Sequence, residues 1–325
     1  MATTSPSKYP VEIDIPDIEP YLAGNTGVRG VTCFDSRKAG PHVMISAIVH
    51  GNEPCGAVAL DWLFKNNVRP LRGKLSLGFI NIEAYQAFDP ENPTATRWVD
   101  EDFNRLWDLS TLKGDRRSCE LTRARELWPW LETVDLLLDL HSMQRCQTPL
   151  MMAGPLKKGR DLAKRLGRPE YIVTDAGHAA GKRMRDFEGF GDPKSPKNAI
   201  LYEAGQHWEA VSGPRTIEIA LRFLHELDMI APDVGADFLS KRPLPPAQKM
   251  IEVTGPVTIK ASTFTFADEF NGMEVLAKAG TLIGHDGDVP VVTPFDDCVL
   301  IMPSMRLWQG QTAVRLGRFV DESGI

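Results

Sequence analysis

The stretch Val43-Met44-Ile45-Ser46-Ala47-Ile48-Val49-His50-Gly51-Asn52-Glu53-Pro54 decides how the rest of the chain is read. Its first seven residues form a near-continuous apolar run of the kind that fills a buried strand. Pro54 suits the first position of a helix, where no backbone donor is needed, and Asn52 is placed to cap it. Ala57, Leu60, Leu63 and Phe64 then recur at helical spacing, which packs the helix back on the sheet. His50 and Glu53 are thereby presented together at the carboxyl end of a strand, where open α/β sheets bind ligands.

Upstream, Val11 to Ile15 and Val31 to Phe34 alternate between Gly-rich turns and predict a leading hairpin. Downstream, Leu75 to Ile82 predicts the second strand of a strand-helix-strand unit, parallel to the first. Residues 83–112 show no clean period and are rich in Asn, Pro, Asp and Arg, the character of a long functional loop. A helix over Glu120 to Trp130 follows, then the buried strand Val134 to His141, which brings a second imidazole to a strand end. Later units are a basic helix near Lys158 to Leu166, a strand at Tyr171 to Thr174 and a Gly-rich charged segment from Asp175 to Lys197. The strand Ala199 to Tyr202 then runs into Glu203-Ala204-Gly205, and Ile217, Leu221 and Leu224 mark an amphipathic helix that Pro232 closes.

At Lys241-Arg242-Pro243-Leu244-Pro245-Pro246 the composition shifts to that of a semi-rigid linker. Beyond it, short β segments separated by Gly and Asn-Gly turns predict a small all-β domain. At ~150 residues per domain two units are expected for this length. We therefore expect a catalytic domain over residues 1–235 and a C-terminal β domain over 236–325 that covers the active-site cleft.

The 325 residues are 42% hydrophobic and 25% charged, ordinary for a soluble globular protein. A formal charge of −6, with no basic block interleaved with aromatics, argues against nucleic acid or an anionic membrane as partner. No apolar run approaches the ~20 residues of a membrane span, residues 1–10 lack the apolar core of a secretory signal, and a cytoplasmic protein is expected. The five cysteines are scattered and never spaced as Cys-x-x-Cys, so neither a disulfide framework nor a thiolate metal site is expected. Cys55 reads as a small buried hydrophobe.

His50, Glu53 and His141 make a two-histidine, one-carboxylate set, the ligand type that holds a catalytic zinc and leaves a position for water. Water on such an ion ionises near neutral pH, and a hydrolase is the natural outcome. Amide hydrolysis also asks for a general base and for donors to the developing oxyanion. Glu203, at the end of its own strand, is the best-placed further carboxylate. Arg97, Asn104 and Arg105 on the long loop supply donors, and guanidinium groups suit a substrate carboxylate.

The string HGNE with its small-residue helix, the segment TRWVDEDFNR, the strand ending DLHS and the later EAG together resemble the succinylglutamate desuccinylase and aspartoacylase family, a branch of the zinc carboxypeptidase clan. The resemblance covers about two thirds of the chain by motif and all of it by layout. It implies a zinc-carboxypeptidase-like three-layer α/β/α domain with a mixed, largely parallel sheet, plus a smaller C-terminal all-β domain. It implies one zinc per chain on His50, Glu53 and His141, and Glu203 as general base. It further implies that Arg97 polarises the scissile carbonyl, that Asn104 and Arg105 hold the substrate carboxylate, and that Asp102 orients a ligating imidazole, with Asp139 as a rival for that role. The reaction implied is removal of the acyl group from a small N-acyl amino acid by zinc-bound water. Assembly into a homo-oligomer is left open.

The sequence departs from the family where relatives that act on dicarboxylates place an arginine shortly before the catalytic Glu. Residues 191–202 hold only Lys194 and Lys197. Arg183 and Arg185 lie further upstream, beside Asp186, Glu188 and Asp192, which would suit an ammonium instead. His207 is read as structural in preference to a fourth ligand, and His178 as a residue of the cleft mouth. A metallocarboxypeptidase acting on a peptide, or a metal-binding protein without catalysis, are the competing readings, separated by the room left in the cleft and by the base and oxyanion arginine.

Overall fold

The computed structural model describes residues 9–321 apart from Ala179 and Pro246, so the first eight residues and Pro246 of the linker lie outside it. The apolar run around Ile45 becomes β2, and its neighbours form the first α/β unit: β1 (Val31–Asp35), β2 (His42–Ala47), α1 (Cys55–Lys65) and β3 (Lys74–Phe79). α2 (Cys119–Leu131) leads into β4 (Leu136–Met143), followed by β5 (Leu150–Met152), α3 (Lys157–Arg165), β6 (Tyr171–Thr174), β7 (Asn198–Gln206) and α4 (Ser212–Glu226). The C-terminal region adds β8 (Lys249–Thr258), β9 (Phe264–Phe266), β10 (Val275–Leu276), β11 (Leu282–Asp286), β12 (Val289–Val292), β13 (Cys298–Ile301) and β14 (Thr312–Val320).

Eleven strands join one sheet in the order β1-β3-β2-β4-β7-β5-β6-β8-β14-β13-β10, and β12-β11-β9 form a second, three-stranded sheet. The run β3-β2-β4-β7 is parallel, so the carboxyl ends of β2, β4 and β7 lie on one side. β2 and β7 are buried along their whole length and β4 from Leu137 onward, as their apolar sequences require. Leu60 and Leu63 of α1, Leu162 of α3 and Leu221 of α4 pack in one core. Leu121 and Leu127 of α2 pack with Phe103, Trp107 and Phe187 in another, which places helices on both faces. The fold is thus the three-layer α/β/α arrangement on a mixed, largely parallel sheet, with a small extra sheet in the C-terminal region.

Several expectations fail for identifiable reasons. Val11 to Ile15 makes no hairpin with β1; the amides of Glu12 and Ile13 donate to the Trp208 carbonyl at 2.9 and 3.0 Å. β1 instead pairs antiparallel with β3 at the sheet edge, because alternation fixes a strand's faces but not its partner. Asn52 does not cap α1: Pro54 takes the cap position without a side-chain bond. The Asn52 carbonyl accepts from Trp208 Nε1 at 3.1 Å, which fixes the turn by a different means. The second strand stops at Phe79, and Ile82–Gln86 is a short helix. In the C-terminal region β9, β11 and β12 form the separate small antiparallel sheet, while β8, β14 and β13 extend the main sheet through the β6 to β8 pairing.

Candidate active site

Beyond β2 the chain passes through Ile48 in a left-handed conformation (φ 55°), which turns His50 out of the strand path. Gly51 has no alternative: a Cβ there would land on the carbonyls of Ala84 and Thr96. Its amide donates to the Arg97 carbonyl at 3.0 Å, tying the long loop to the end of β2. β4 delivers His141, and in the parallel register His141 is the direct neighbour of Glu203 on β7. Three adjacent strands therefore converge their polar residues at one sheet end.

The convergence is tight. His50 Nδ1 lies 2.9 Å from Glu53 Oε1, and His141 Nδ1 lies 2.9 Å from Glu53 Oε2. On the far side of each ring, His50 Nε2 meets Asp102 Oδ1 at 3.0 Å and His141 Nε2 meets Asp139 Oδ2 at 2.9 Å. The two acids that competed for one imidazole take one each. If each Nε2 donates its proton outward, both Nδ1 lone pairs face the Glu53 carboxylate, and such a knot of acceptors needs protons or a cation between them. Burial works to raise the pKa of Glu53, but the two imidazoles outweigh it and hold the carboxyl well below its ordinary range. Burial likewise works to lower His141, yet Asp139 and Glu53 push it well above its ordinary value. One donor atom from each of His50, Glu53 and His141 lies within 4.8 Å of the others, and all three residues are buried, so the set fits a small divalent ion.

Glu203 stands beside this cluster, 6% exposed, with Oε2 unpartnered. Burial pushes its pKa up to about 8, with His141 opposing and Glu53 adding to the shift. Arg97 reaches over this cluster, 2.8 Å from Glu53 Oε1 and 2.9 Å from His50 Nε2. Asn104 accepts from the Met184 amide at 2.7 Å and borders the same cavity. Arg105 also lines it, its guanidinium donating to the neighbouring Asn104 carbonyl at 2.7 Å. Every sequence-expected site residue thus borders one cavity of about 400 Å³, Asp139 lying just behind it.

Sequence reasoning missed what holds the loop. Glu120, fully buried near the start of α2, accepts from the amides of Val99, Asp100 and Glu101 at 2.6, 3.0 and 3.2 Å. One carboxylate thereby fixes the backbone between Arg97 and Asp102. It also missed the roof, where the segment 302–306 docks on the residues after β4. Met305 N donates to Gln144 Oε1 at 2.6 Å, Met302 N to Gln147 Oε1 at 3.2 Å, and Arg145 to the Ser304 carbonyl at 3.3 Å. Arg306 at the end of this segment and Arg315 on β14 join the lining, and no motif in the sequence marks either residue.

The remaining candidates separate cleanly. His207 is buried, its Nδ1 2.8 Å from Ser142 Oγ and its Nε2 unpartnered, and burial lowers its pKa to about 3. His178 lines the cavity. Arg183 is spent on Asp175 and Asp186, and Arg185 on Asp186 and the carbonyls of Ala153 and Ala199. Lys197 bonds the Val134 carbonyl at the opposite end of the strands. Cys55 is a buried thiol at the start of α1.

The layers, the strand-end cluster and the small second sheet define an α/β fold of the desuccinylase type. A succinylglutamate desuccinylase from Vibrio cholerae superposes with a TM-score of 0.67 at 18% identity, over 90% of this chain and 89% of that one. An aspartoacylase family protein from Mesorhizobium loti gives 0.60 at 16%, over 90% and 89%. The ectoine utilization protein EutE (DoeB) from Ruegeria pomeroyi, solved with product bound, gives 0.61 at 17%, over 97% and 98%. At these identities the likeness establishes the fold. Comparison with curated protein sequences returned no match. The profile of the succinylglutamate desuccinylase/aspartoacylase catalytic domain matches residues 39–229, and the chain belongs to that family of hydrolases.

Proposed function

We propose that the chain is a zinc-dependent, cytoplasmic amidohydrolase that removes the acyl group from a small N-acyl amino acid, with His50, Glu53 and His141 holding one zinc ion. The observation that carries this reading is the buried, unpartnered Glu203 Oε2 beside the His-Glu-His cluster in one cavity. When bound, zinc would supply a water ionising near neutral pH and polarise the scissile carbonyl. Asp102 and Asp139 fix the two rings so that each presents Nδ1 inward. Glu203 takes the proton of the attacking water and passes it to the leaving nitrogen. Arg97, already touching His50 and Glu53, borders the position of the developing oxyanion. Arg105 and the Asn104 amide hold the substrate carboxylate.

The chain divides in this reading at 235/236, with the C-terminal part closing the cleft. Residues between Met302 and Arg315 line the cavity, and in this reading they limit it to a small substrate in place of a peptide. The test is a hydrolysis screen of N-acetyl, N-succinyl and N-formyl amino acids with zinc-loaded enzyme, alongside C-terminally blocked and free peptides. Turnover of an acyl amino acid and none of peptides is expected; turnover of peptides alone overturns the assignment.

A further inference from the structure

Most buried polar side-chain atoms in a folded chain have a hydrogen-bond partner. His207 borders the cavity, 2% exposed, and only one of its ring nitrogens is bonded. Nδ1 lies 2.8 Å from Ser142 Oγ, while among the described residues Nε2 is without a partner. A polar atom withheld from water and left unbonded costs free energy. The position therefore suits a ligand that supplies the missing contact.

The strand ends put the ring there. His141 of β4 pairs with Glu203 of β7, yet the next pair in register is Met143 with Gln206, so β7 spends an extra residue. Gly205 takes up the difference at φ 109°, a conformation that favours glycine. Beyond this bulge the His207 amide donates to the Met143 carbonyl at 2.9 Å. Trp208 is fixed through its amide to Gln206 Oε1 at 2.7 Å and through Nε1 to the Asn52 carbonyl at 3.1 Å. Ser142, which follows His141, bonds His207 with its hydroxyl and Glu53 Oε2 with its amide at 3.2 Å. A single residue thus links the ring to the His-Glu-His cluster.

Ser142 also sets which nitrogen carries the proton. Its hydroxyl adjoins the Cys55 thiol as well, but sulfur is a weak acceptor and an imidazole nitrogen a good one. With the hydroxyl proton directed at Nδ1, the ring keeps its own on Nε2 and offers a donor. Burial, with Arg97, His50 and Arg306 adding to it against Glu53, keeps the ring uncharged. The charges that act on Arg105 are those of Asp102, Arg315, Arg97 and Arg183, so the two sets share Arg97 alone. A ligand with its carboxylate on Arg105 and its scissile carbonyl by Arg97 turns its acyl half towards His207. We propose that His207 is a specificity residue whose Nε2–H donates a hydrogen bond to an oxygen of the acyl half of the substrate. That this oxygen belongs to an acyl group rests on the deacylase reading; that the ring binds a ligand in the cavity does not.

Calorimetric titration of zinc-loaded protein with N-acetylnorvaline, N-succinylnorvaline and norvaline, which lacks the acyl half, tests the proposal. A Glu203→Gln background keeps the acyl compounds from being consumed. His207→Phe is expected to weaken the tighter acyl compound about tenfold, the worth of one hydrogen bond, and norvaline less than about twofold. His207→Gln, which keeps an N–H donor, should retain part of that affinity. Ser142→Ala, in which nothing fixes the ring proton on Nε2, should lose part of it with zinc still at one per chain. An equal loss for norvaline, unchanged affinities, or loss of zinc in His207→Phe overturns the proposal. A His207-dependent acyl affinity, with wild-type protein that hydrolyses none of these compounds, would support the contact and remove the deacylase reading alone.

Discussion

His141 Nδ1 lies 2.9 Å from Glu53 Oε2 although 88 positions separate the two residues in the chain. The other Glu53 oxygen meets His50 at the same distance, so one carboxylate bridges two imidazoles inside a buried site. If that knot is a metal site, protein purified without added metal should carry about one zinc per chain by elemental analysis. His141→Ala and Glu53→Ala should each abolish stoichiometric zinc; full retention in either variant would remove that residue from the ligand set.

Asp139 and Asp102 each bond the outer nitrogen of a different ring. Asp139→Asn and Asp102→Asn should each weaken zinc affinity about 10- to 100-fold, read by competition with a chromophoric chelator. An unchanged affinity in one of them would mean that its imidazole is oriented by packing alone.

Glu203 touches none of the proposed ligands through a hydrogen bond and keeps an oxygen free. Glu203→Gln should therefore lower turnover about 10²- to 10⁴-fold while zinc content stays at one per chain. Parallel loss of zinc would move Glu203 from base to ligand.

Glu120 satisfies three consecutive loop amides from a fully buried position. Glu120→Ala leaves those donors without an acceptor and should cost at least about 2 kcal/mol in denaturant unfolding. Faster hydrogen exchange at residues 99–101 should accompany it, and unchanged protection there would show that the loop is held by other contacts.

His207 has its pKa lowered by burial to about 3, against about 6.5 in an unfolded chain. The unfolded state then binds the extra proton first, so this group takes stability away as pH falls from about 6.5 towards 3 and is neutral above that window. Metal-free protein should melt at a lower temperature at pH 5 than at pH 7.5, and His207→Gln should show a smaller difference. Identical differences in the two proteins would assign the acid sensitivity elsewhere.

The amino-acid sequence alone determined that His50, Glu53, His141 and Glu203 lie towards the carboxyl ends of strands, because buried runs such as 43–49 and 134–140 announce strands, although β4 and β7 run on past His141 and Glu203. It equally determined the α/β order and the existence of a long polar loop. Only the tertiary structure decided which strands became neighbours. That choice sent Val11 to Ile15 to Trp208, fused β8, β13 and β14 to the main sheet, and gave each imidazole its own aspartate. The roles of Glu120, Arg306 and Arg315 were invisible for the same reason. Periodicity records which face of an element is buried, whereas a contact between distant segments depends on packing geometry that no local pattern encodes.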